Sequence, residues 1–381
     1  YTLWHTLSLH DALPILIFLT NEPRKLKLPS KSIEGRVAWR SPSNIALIKY
    51  WGKFGEQLPM NPSLSFTLKK SFTATTIEYT YSSKKGKSLK LYLGGKRNSG
   101  FEEKLMQMID QRLLQYLPWL DYTQLKIHTE NTFPHSTGIA SSASAMSAFA
   151  LCLLSIEEEL FDYKFQKNEF YRNASFIARL CSGSACRSIY PGYNLWGSLE
   201  EIVDASDAYA VEVNHLVNSF YQSIHDAILI VSSEEKHISS TRGHSLMKNH
   251  PFAAGRHLQV KDHLQKIMKF MQNNDTMEFF RIIENEALSL HGLMMSSNPG
   301  YLLLKPRSLD IIEKIYNFRE KENIAMGFTM DAGPNIHLLY FDKDKKEVKK
   351  FIKNELLPFC ENNQWIDDKL GPGAQKVKIN E

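Results

Sequence analysis

The sequence predicts an α+β fold in two parts. Three observations carry that expectation. Runs rich in β-branched and aromatic residues crowd the first third of the chain, long stretches with helical apolar spacing crowd the part after residue 250, and a buried-strand signature, Ala227-Ile-Leu-Ile-Val231, opens the second half. Blocks of strands followed by blocks of helices suit an α+β arrangement better than a doubly wound parallel sheet. The weakest patterning falls near residues 205–220, which is where a boundary is expected.

In chain order, residues 1–28 carry an apolar run broken by Pro14 and preceded by Asp11 rather than by basic residues, a poor signal peptide. They are expected to be a non-native or disordered extension. Residues 36–50 and 72–81 read as strands, and Leu89 to Leu93 followed by Gly94-Gly95 reads as a strand entering a hairpin turn. Leu105, Met108, Ile109 and Leu113 sit at helical spacing within 101–116. A strand over 125–129 and helices over 142–160 and 167–180 complete the first half. In the second half, helices are expected over 255–272, 276–295, 308–321 and 346–360. Gly327 to Met330 and Ile336 to Tyr340 read as two strands around a tight turn.

Of the 381 residues, 43% are hydrophobic and 23% charged, which describes an ordinary globular chain long enough for two domains. The net charge of +5 comes without a long basic block, so nucleic acid is not an expected partner. No apolar run approaches the ~20 residues that span a bilayer, so a membrane is not expected either. The four cysteines have no CxxC or disulfide-like spacing, pointing to free thiols in the cytoplasm. None of the 13 histidines forms a metal pattern, and His291 and His337 read as packing residues.

Chemistry concentrates in a few short segments. Asn44-Ile-Ala-Leu-Ile-Lys-Tyr-Trp-Gly-Lys53 ends an apolar strand with Lys49 and Lys53 flanking Tyr50, Trp51 and Gly52. Two point charges beside a glycine that lets backbone come close suit a small, highly anionic ligand. Pro134-His-Ser-Thr-Gly-Ile-Ala-Ser-Ser-Ala-Ser144 places Gly138 and Ala140 with Ser141, Ser142 and Ser144 at the start of a long apolar helix. That is an anion site at a helix N-terminus, or else a serine cap with a small-residue packing face. Ser182-Gly-Ser-Ala-Cys-Arg187 brings Ser182, Gly183, Ser184, Ala185 and Cys186 close to Arg187, whose guanidinium fork matches a carboxylate or phosphate. Alternatively it is a capped turn with a surface arginine. Asp331 precedes Ala-Gly-Pro-Asn335 at a strand end, where a carboxylate can orient or deprotonate a hydroxyl, or merely start a turn. Ile238-Ser-Ser-Thr-Arg-Gly-His244 offers hydroxyls and an arginine, a weaker phosphate signal.

Taken together and in this order, these segments resemble the diphosphomevalonate decarboxylases of the galacto-, homoserine, mevalonate and phosphomevalonate kinase superfamily. The likeness spans about residues 34–375, and the Lys-Tyr-Trp-Gly-Lys and Ser-Gly-Ser-Ala-Cys-Arg pieces are its most specific parts. It implies a two-lobed kinase-superfamily fold with a deep cleft: a lobe like the second domain of ribosomal protein S5 over 32–212, and a ferredoxin-like lobe over 220–376. It implies ATP-dependent decarboxylation of mevalonate 5-diphosphate to isopentenyl diphosphate, ADP, phosphate and carbon dioxide, in the mevalonate route to isoprenoids. By resemblance, Asp331, Lys49 and Arg187 are catalytic. Asp331 would act on the 3-hydroxyl, Lys49 would face the transferring phosphoryl group, and Arg187 would clamp the substrate carboxylate. Tyr50, Trp51, Gly52, Lys53, Ser182 to Arg187, Ser240 and Thr241 would bind the substrate. Pro134, Gly138, Ala140, Ser141, Ser142 and Ser144 would bind ATP, with Mg²⁺ bridging its phosphates. The assembly it implies is a homodimer.

One departure stands out. The family carries an arginine shortly before a hairpin resembling Leu91 to Gly95, where this chain has Ser88 among Lys85, Lys87 and Lys90, with Arg97 just beyond. Lysine supplies charge but no bidentate fork. A relative that decarboxylates a monophosphate, one that only phosphorylates the 3-hydroxyl, and a non-catalytic ligand-binding relative are the alternatives. Retention of Asp331, Lys49 and Arg187 favours full decarboxylation.

Overall fold

The computed structural model describes residues 28–134, 139–234 and 240–378, with side chains throughout except at 240–242. All but the last residue of the 1–28 extension therefore lies outside the described residues.

The first lobe is built on two long strands. β1 (Ile33–Ala46) runs antiparallel to the longer β4 (Ser63–Tyr81), and a tiny hairpin of β2 (Lys53–Phe54) and β3 (Leu58–Pro59) lies between them. The β1–β4 register slips between Pro42 and Asn44, where proline has no N–H to give the ladder. β5 (Ser88–Leu93) turns at Gly94-Gly95 into β6 (Lys96–Arg97), followed by α1 (Ser99–Met108), capped by the Asn98 side chain. The helix expected over 101–116 thus stops early and relaxes into a π-helical turn, Ile109–Leu113. β7 (Thr123–Asn131) precedes α2 (Ser141–Leu160) and α3 (Lys167–Cys181). Two short strands, β8 (Tyr193–Trp196) and β9 (Ala210–Glu212), close the lobe, and β9 falls in the weakly patterned stretch near 205–220.

The sheet runs β6-β5-β7-β4-β1, with β8 and β9 continuing from the first half of β4. Burial along β4 explains its two halves. From Ser71 to Tyr81 buried and half-buried residues alternate, so one face packs inward and the other meets solvent. From Ser63 to Leu68 every residue is buried. α2 is apolar nearly all round and is an inner helix of the lobe; Trp39 Nε1 donates to Ser155 Oγ on it at 2.9 Å.

The second lobe begins with β10 (Ile224–Leu229). α4 (Ser240–Leu246), α5 (Ala253–Asn273), α6 (Thr276–Met295) and α7 (Pro306–Glu322) follow, then β11 (Met326–Thr329), β12 (Ile336–Phe341), α8 (Lys345–Phe351) and β13 (Trp365–Lys369). Its antiparallel sheet has the order β11-β12-β10-β13, the ferredoxin-like arrangement that the family resemblance implies. The single helix expected over 346–360 is α8 followed by π-helical and 3₁₀ turns.

The lobes meet along a polar seam. Asp368 of β13 is buried, and its carboxylate accepts from the backbone N–H groups of Lys69 (2.9 Å), Lys70 (2.8 Å) and Ser71 (2.7 Å) in β4. β14 (Gln375–Lys376) then returns to pair with β1 at Trp39 and Arg40.

Candidate active site

Lys49 lies three residues past the end of β1, where the N–H groups of Leu47 and Ile48 both donate to Leu64 O. Its side chain is buried, and its backbone is gripped on both sides. The N–H donates to Glu286 Oε2 on α6 at 2.8 Å; the carbonyl accepts from Asn61 Nδ2 at 2.9 Å and Arg256 Nη2 at 3.1 Å. Thus fixed, Lys49 Nζ reaches across to Asp331 Oδ1 at 2.9 Å.

Asp331 comes from the other lobe, in the turn after β11. The turn is pinned by Asn335, whose Oδ1 accepts from Val231 N (2.7 Å) and Ser232 N (3.0 Å), and by His291 Nε2, which donates to Asp331 O at 3.1 Å. Within it, Gly333 N donates to Asp331 O at 2.7 Å. His291 is therefore more than a packing residue, and so is His337, whose Nδ1 lies 2.8 Å from the buried Asp226 Oδ2. The Asp331 side chain stays 27% exposed, while that of Lys49 is 1% exposed. Burial pushes the Asp331 carboxyl up, but the Lys49 ammonium and its hydrogen bond, then His337 and Arg187, outweigh that and hold it below the usual carboxylate range. Burial lowers Lys49, against the pull of Asp331. The pair is a hydrogen-bonded contact between the lobes, with the Asp331 carboxyl favoured in its ionised form.

Arg187 enters from the turn after α3, a 3₁₀ segment over Gly183–Ser188. Its side chain is buried, Nη1 donates to Ser63 Oγ, and Nε has no partner among the described residues. Burial lowers it, while Asp331 and Tyr50 pull the other way. A buried guanidinium without a bonded carboxylate is costly unless an anion completes it. Asn44 Nδ2 on β1 ties this turn down through Ser188 Oγ at 2.7 Å and Ser184 O at 3.3 Å. Gly183 leaves room for Tyr50: a Cβ there would stand 3.0 Å from the Tyr50 hydroxyl and 2.9 Å from Trp196. Ser182 and Ser184 are half-buried. Ala185 and Cys186 are fully buried, and Cys186 Sγ donates to Gly183 O at 3.0 Å, with burial pushing its thiol up to about 12.

The segment Tyr50–Lys53 forms an aromatic and cationic wall. Tyr50 packs on Trp196 with ring centroids 4.7 Å apart, and Gly52 takes φ +93°, a conformation that favours glycine. Lys53 Nζ donates to Gln57 Oε1 at 2.8 Å, and burial, then the Arg112 guanidinium, lower its ammonium. Against this wall stands His244 of α4, whose ring lies 4.4 Å from that of Tyr50 and 4.6 Å from that of Trp51. Sequence reasoning missed His244, although it ends the hydroxyl-rich segment 238–244. It also missed Arg112 and the buried Arg256–Glu286 pair behind Lys49, with the half-buried His263 bonded to it. The signal for Glu286 was a carboxylate inside the apolar pattern of α6.

At the start of α2 the side chains diverge. Ser142 is exposed and Ser141 half-buried, after Ala140 in a left-handed turn at φ +42°. Ser144 turns inward instead: its buried Oγ lies 2.6 Å from Thr73 Oγ1 and donates to Ser141 O at 3.2 Å. Ser43 Oγ donates to Ile139 O at 2.7 Å and anchors the loop to β1; Pro134 is exposed. Gly138 lies outside the described residues, as do the side chains of Ser240 and Thr241, whose backbone opens α4.

Three of the basic residues weighed as replacements for the family's arginine are already committed. Lys85 pairs with Asp121 at 2.8 Å, Lys87 with Asp110 and with Asp121 (3.3 Å), and Arg97 with both oxygens of Glu102 (2.9 and 3.0 Å). Among the described residues no group of three or more His, Cys, Asp or Glu side chains is placed to hold a metal ion.

Two family models match the chain: a diphosphomevalonate decarboxylase-like N-terminal domain over residues 41–210, and a mevalonate 5-diphosphate decarboxylase C-terminal domain over 227–379. The diphosphomevalonate decarboxylase of Aspergillus fumigatus is 31% identical over 86% of this chain and 82% of its own length. The crystal structure of mevalonate diphosphate decarboxylase from Staphylococcus aureus superposes with a TM-score of 0.76 at 30% identity, covering 91% of this chain and 99% of that one. A mevalonate diphosphate decarboxylase structure from Enterococcus faecalis, described as a mevalonate diphosphate-mediated ATP binding mechanism, matches with a TM-score of 0.74 at 26% identity, over 91% of this chain and 100% of that one.

Proposed function

The chain belongs to the diphosphomevalonate decarboxylase family, and on that premise we propose how its residues divide the work of ATP-dependent decarboxylation of mevalonate 5-diphosphate. The observation that carries the assignment is the Lys49–Asp331 pair at 2.9 Å, made from both lobes, with Lys49 buried and Asp331 partly open.

The substrate's tertiary hydroxyl is a poor leaving group, and ATP, when bound, supplies the phosphoryl group that makes it a good one. Asp331, ionised, accepts a hydrogen bond from that hydroxyl and aims its oxygen. Lys49 holds the Asp331 carboxylate in place and offsets negative charge gathering around it. Arg187 presents Nε and its terminal nitrogens to the substrate carboxylate. As the leaving group departs, positive charge grows at C3, and Asp331 stands beside it while the clamped carboxylate breaks down to carbon dioxide and an alkene. Positioning and fixed charge do the catalysis. Tyr50 to Lys53, Ser182 to Cys186, Ser240 and Thr241 form the diphosphate end of the site.

The loop before α2 is the proposed ATP-phosphate cradle, through Pro134, Gly138, Ala140, Ser141 and Ser142. The bonding of Ser144 to Thr73 favours a supporting role for that hydroxyl. With no acidic cluster converging among the described residues, the reading that fits is Mg²⁺ held mainly by phosphate oxygens, as this ion favours. Four buried, unpaired cysteines support a reducing cytoplasm as the location, and a homodimer is the proposed assembly, which sedimentation analysis checks. Among the described residues no helix is long and apolar enough to cross a membrane.

The test uses Asp331→Ala with ATP, Mg²⁺ and mevalonate 5-diphosphate labelled at C1. Loss of one oriented charge at such a site lowers turnover by ~10²-fold or more. Released carbon dioxide should fall by that factor with substrate affinity nearly kept. A near-normal kcat would remove Asp331 from the chemistry.

A further inference from the structure

His244 is held more tightly than a packing residue needs. Gly52 N donates to its Nδ1 at 3.0 Å. A backbone N–H can only donate, so Nδ1 carries a lone pair, and the neutral ring keeps its proton on Nε2. Tyr50 and Trp51 flank the ring at 4.4 and 4.6 Å and fix its plane. The next residue back, Gly243, would place a Cβ 2.5 Å from Trp51, so α4 is seated as close to this wall as backbone allows. Nε2–H has no partner among the described residues, and the residue is half-buried.

The charges facing the ring sharpen the point. Burial, and after it the Lys53 and Arg187 cations, press the ring down to about 3, which favours its neutral form. Lys53 follows directly on Gly52, which holds the ring, and a cation next to an unpaired N–H makes a place for an anion. Of the basic residues around the hairpin, Lys85, Lys87 and Arg97 are held in ion pairs, while Lys90 is exposed on β5.

We propose that His244 is a substrate-binding residue: its Nε2–H, set by the bond from Gly52, donates to a phosphate oxygen of mevalonate 5-diphosphate. The inference rests on Tyr50–Lys53 being the diphosphate end of the site. Two substitutions separate the two nitrogens. His244→Asn keeps an acceptor where Nδ1 stands but has nothing at Nε2. His244→Gln reaches the Nε2 position with an amide N–H but gives up the acceptor for Gly52.

The measurement is calorimetric titration of each enzyme with mevalonate 5-diphosphate, paired with steady-state rates. A hydrogen bond to a charged group is worth roughly tenfold or more in affinity. Binding by His244→Asn should weaken by about that factor, with KM rising and kcat little changed, since such a contact holds ground state and transition state alike. His244→Gln should lie between it and wild type. Unchanged affinity in His244→Asn, or a larger loss in His244→Gln, overturns the inference and leaves His244 a brace for Gly52. Wild-type protein that fails to bind the diphosphate overturns the site assignment itself, and does so before any substitution is made.

Discussion

Replacing Glu286 with glutamine should damage both stability and catalysis without touching substrate. Its carboxylate is fully buried and takes four hydrogen bonds: from Lys49 N at 2.8 Å, Arg256 Nη1 and Nη2 at 2.7 and 2.5 Å, and His263 at 2.7 Å. Burial pushes its pKa up, but the bonds from Arg256 and His263 outweigh that and bring it from 4.5 to about 2. A folded-state value below the ordinary one means stability that is present above pH 4.5 and is lost as pH falls toward 2. At about 1.4 kcal/mol per pH unit, that interval is worth about 3 kcal/mol. Glutamine keeps the shape, leaves the buried Arg256 without its counter-charge, and turns an N–H₂ toward groups that are themselves donors. Breaking a buried pair commonly costs about 3–5 kcal/mol, which brackets the same figure. Urea unfolding at pH 7 should show the loss, and the acid-side decline of wild-type stability below pH 4.5 should flatten in the variant. Amide exchange at Lys49 should quicken and kcat should fall, because Glu286 fixes the backbone that carries Lys49. A variant within about 1 kcal/mol of wild type, well under that range, with Lys49 exchange unchanged, would refute the reasoning.

Two further outcomes follow from the same geometry. Arg187→Lys replaces a fork by a point charge and removes the nitrogen that bonds Ser63; carbon dioxide release should drop at least tenfold, by roughly the 1.5–3 kcal/mol of a charge-assisted bond, and an unaffected rate would dismiss the carboxylate clamp. Glu284 behaves opposite to Glu286: burial raises it to about 7 despite Arg319 at 2.7 Å. A folded value above the unfolded one makes stability fall as pH rises from 4.5 to 7, so Glu284→Gln should equal wild type near pH 5 and exceed it at pH 8 by on the order of 1 kcal/mol or more in urea unfolding.

Much of the frame was legible in the residues. The apolar runs of β1, β10 and α2, and the spacing of α3, α5, α6 and α7, mark elements that bury a recognisable face. What escaped were elements whose burial is polar. The first half of β4, Ser63-Leu-Ser-Phe-Thr, looks like loop because its inward residues are small and hydroxylated; the enclosing structure satisfies them, as with Ser63 Oγ donating to Ile48 O at 2.6 Å. β13, Trp365-Ile-Asp-Asp-Lys369, looks too charged for a strand until Asp368 is seen to cap three backbone N–H groups of β4. In the site, Lys49, Arg187 and Asp331 stood out because short motifs frame them. His244, Glu286 and Arg256 act through partners 192 to 237 residues away in sequence, and no local pattern announces such a pair.

The return of β14 to β1 also bears on how the protein is made. Gln375 and Lys376 pair with Arg40 and Trp39, with the Arg40 side chain bonded to that of Gln375. A ribosome delivers β1 early and its outer neighbour more than 330 residues later. At ~5–20 residues per second, that edge waits from tens of seconds to about a minute for its cover. An uncovered strand edge invites pairing with other chains. Overproduction in a fast-growing host should therefore yield aggregates seeded through residues 39–40, and slowing synthesis or lowering temperature should recover soluble enzyme more effectively than any change to the cleft.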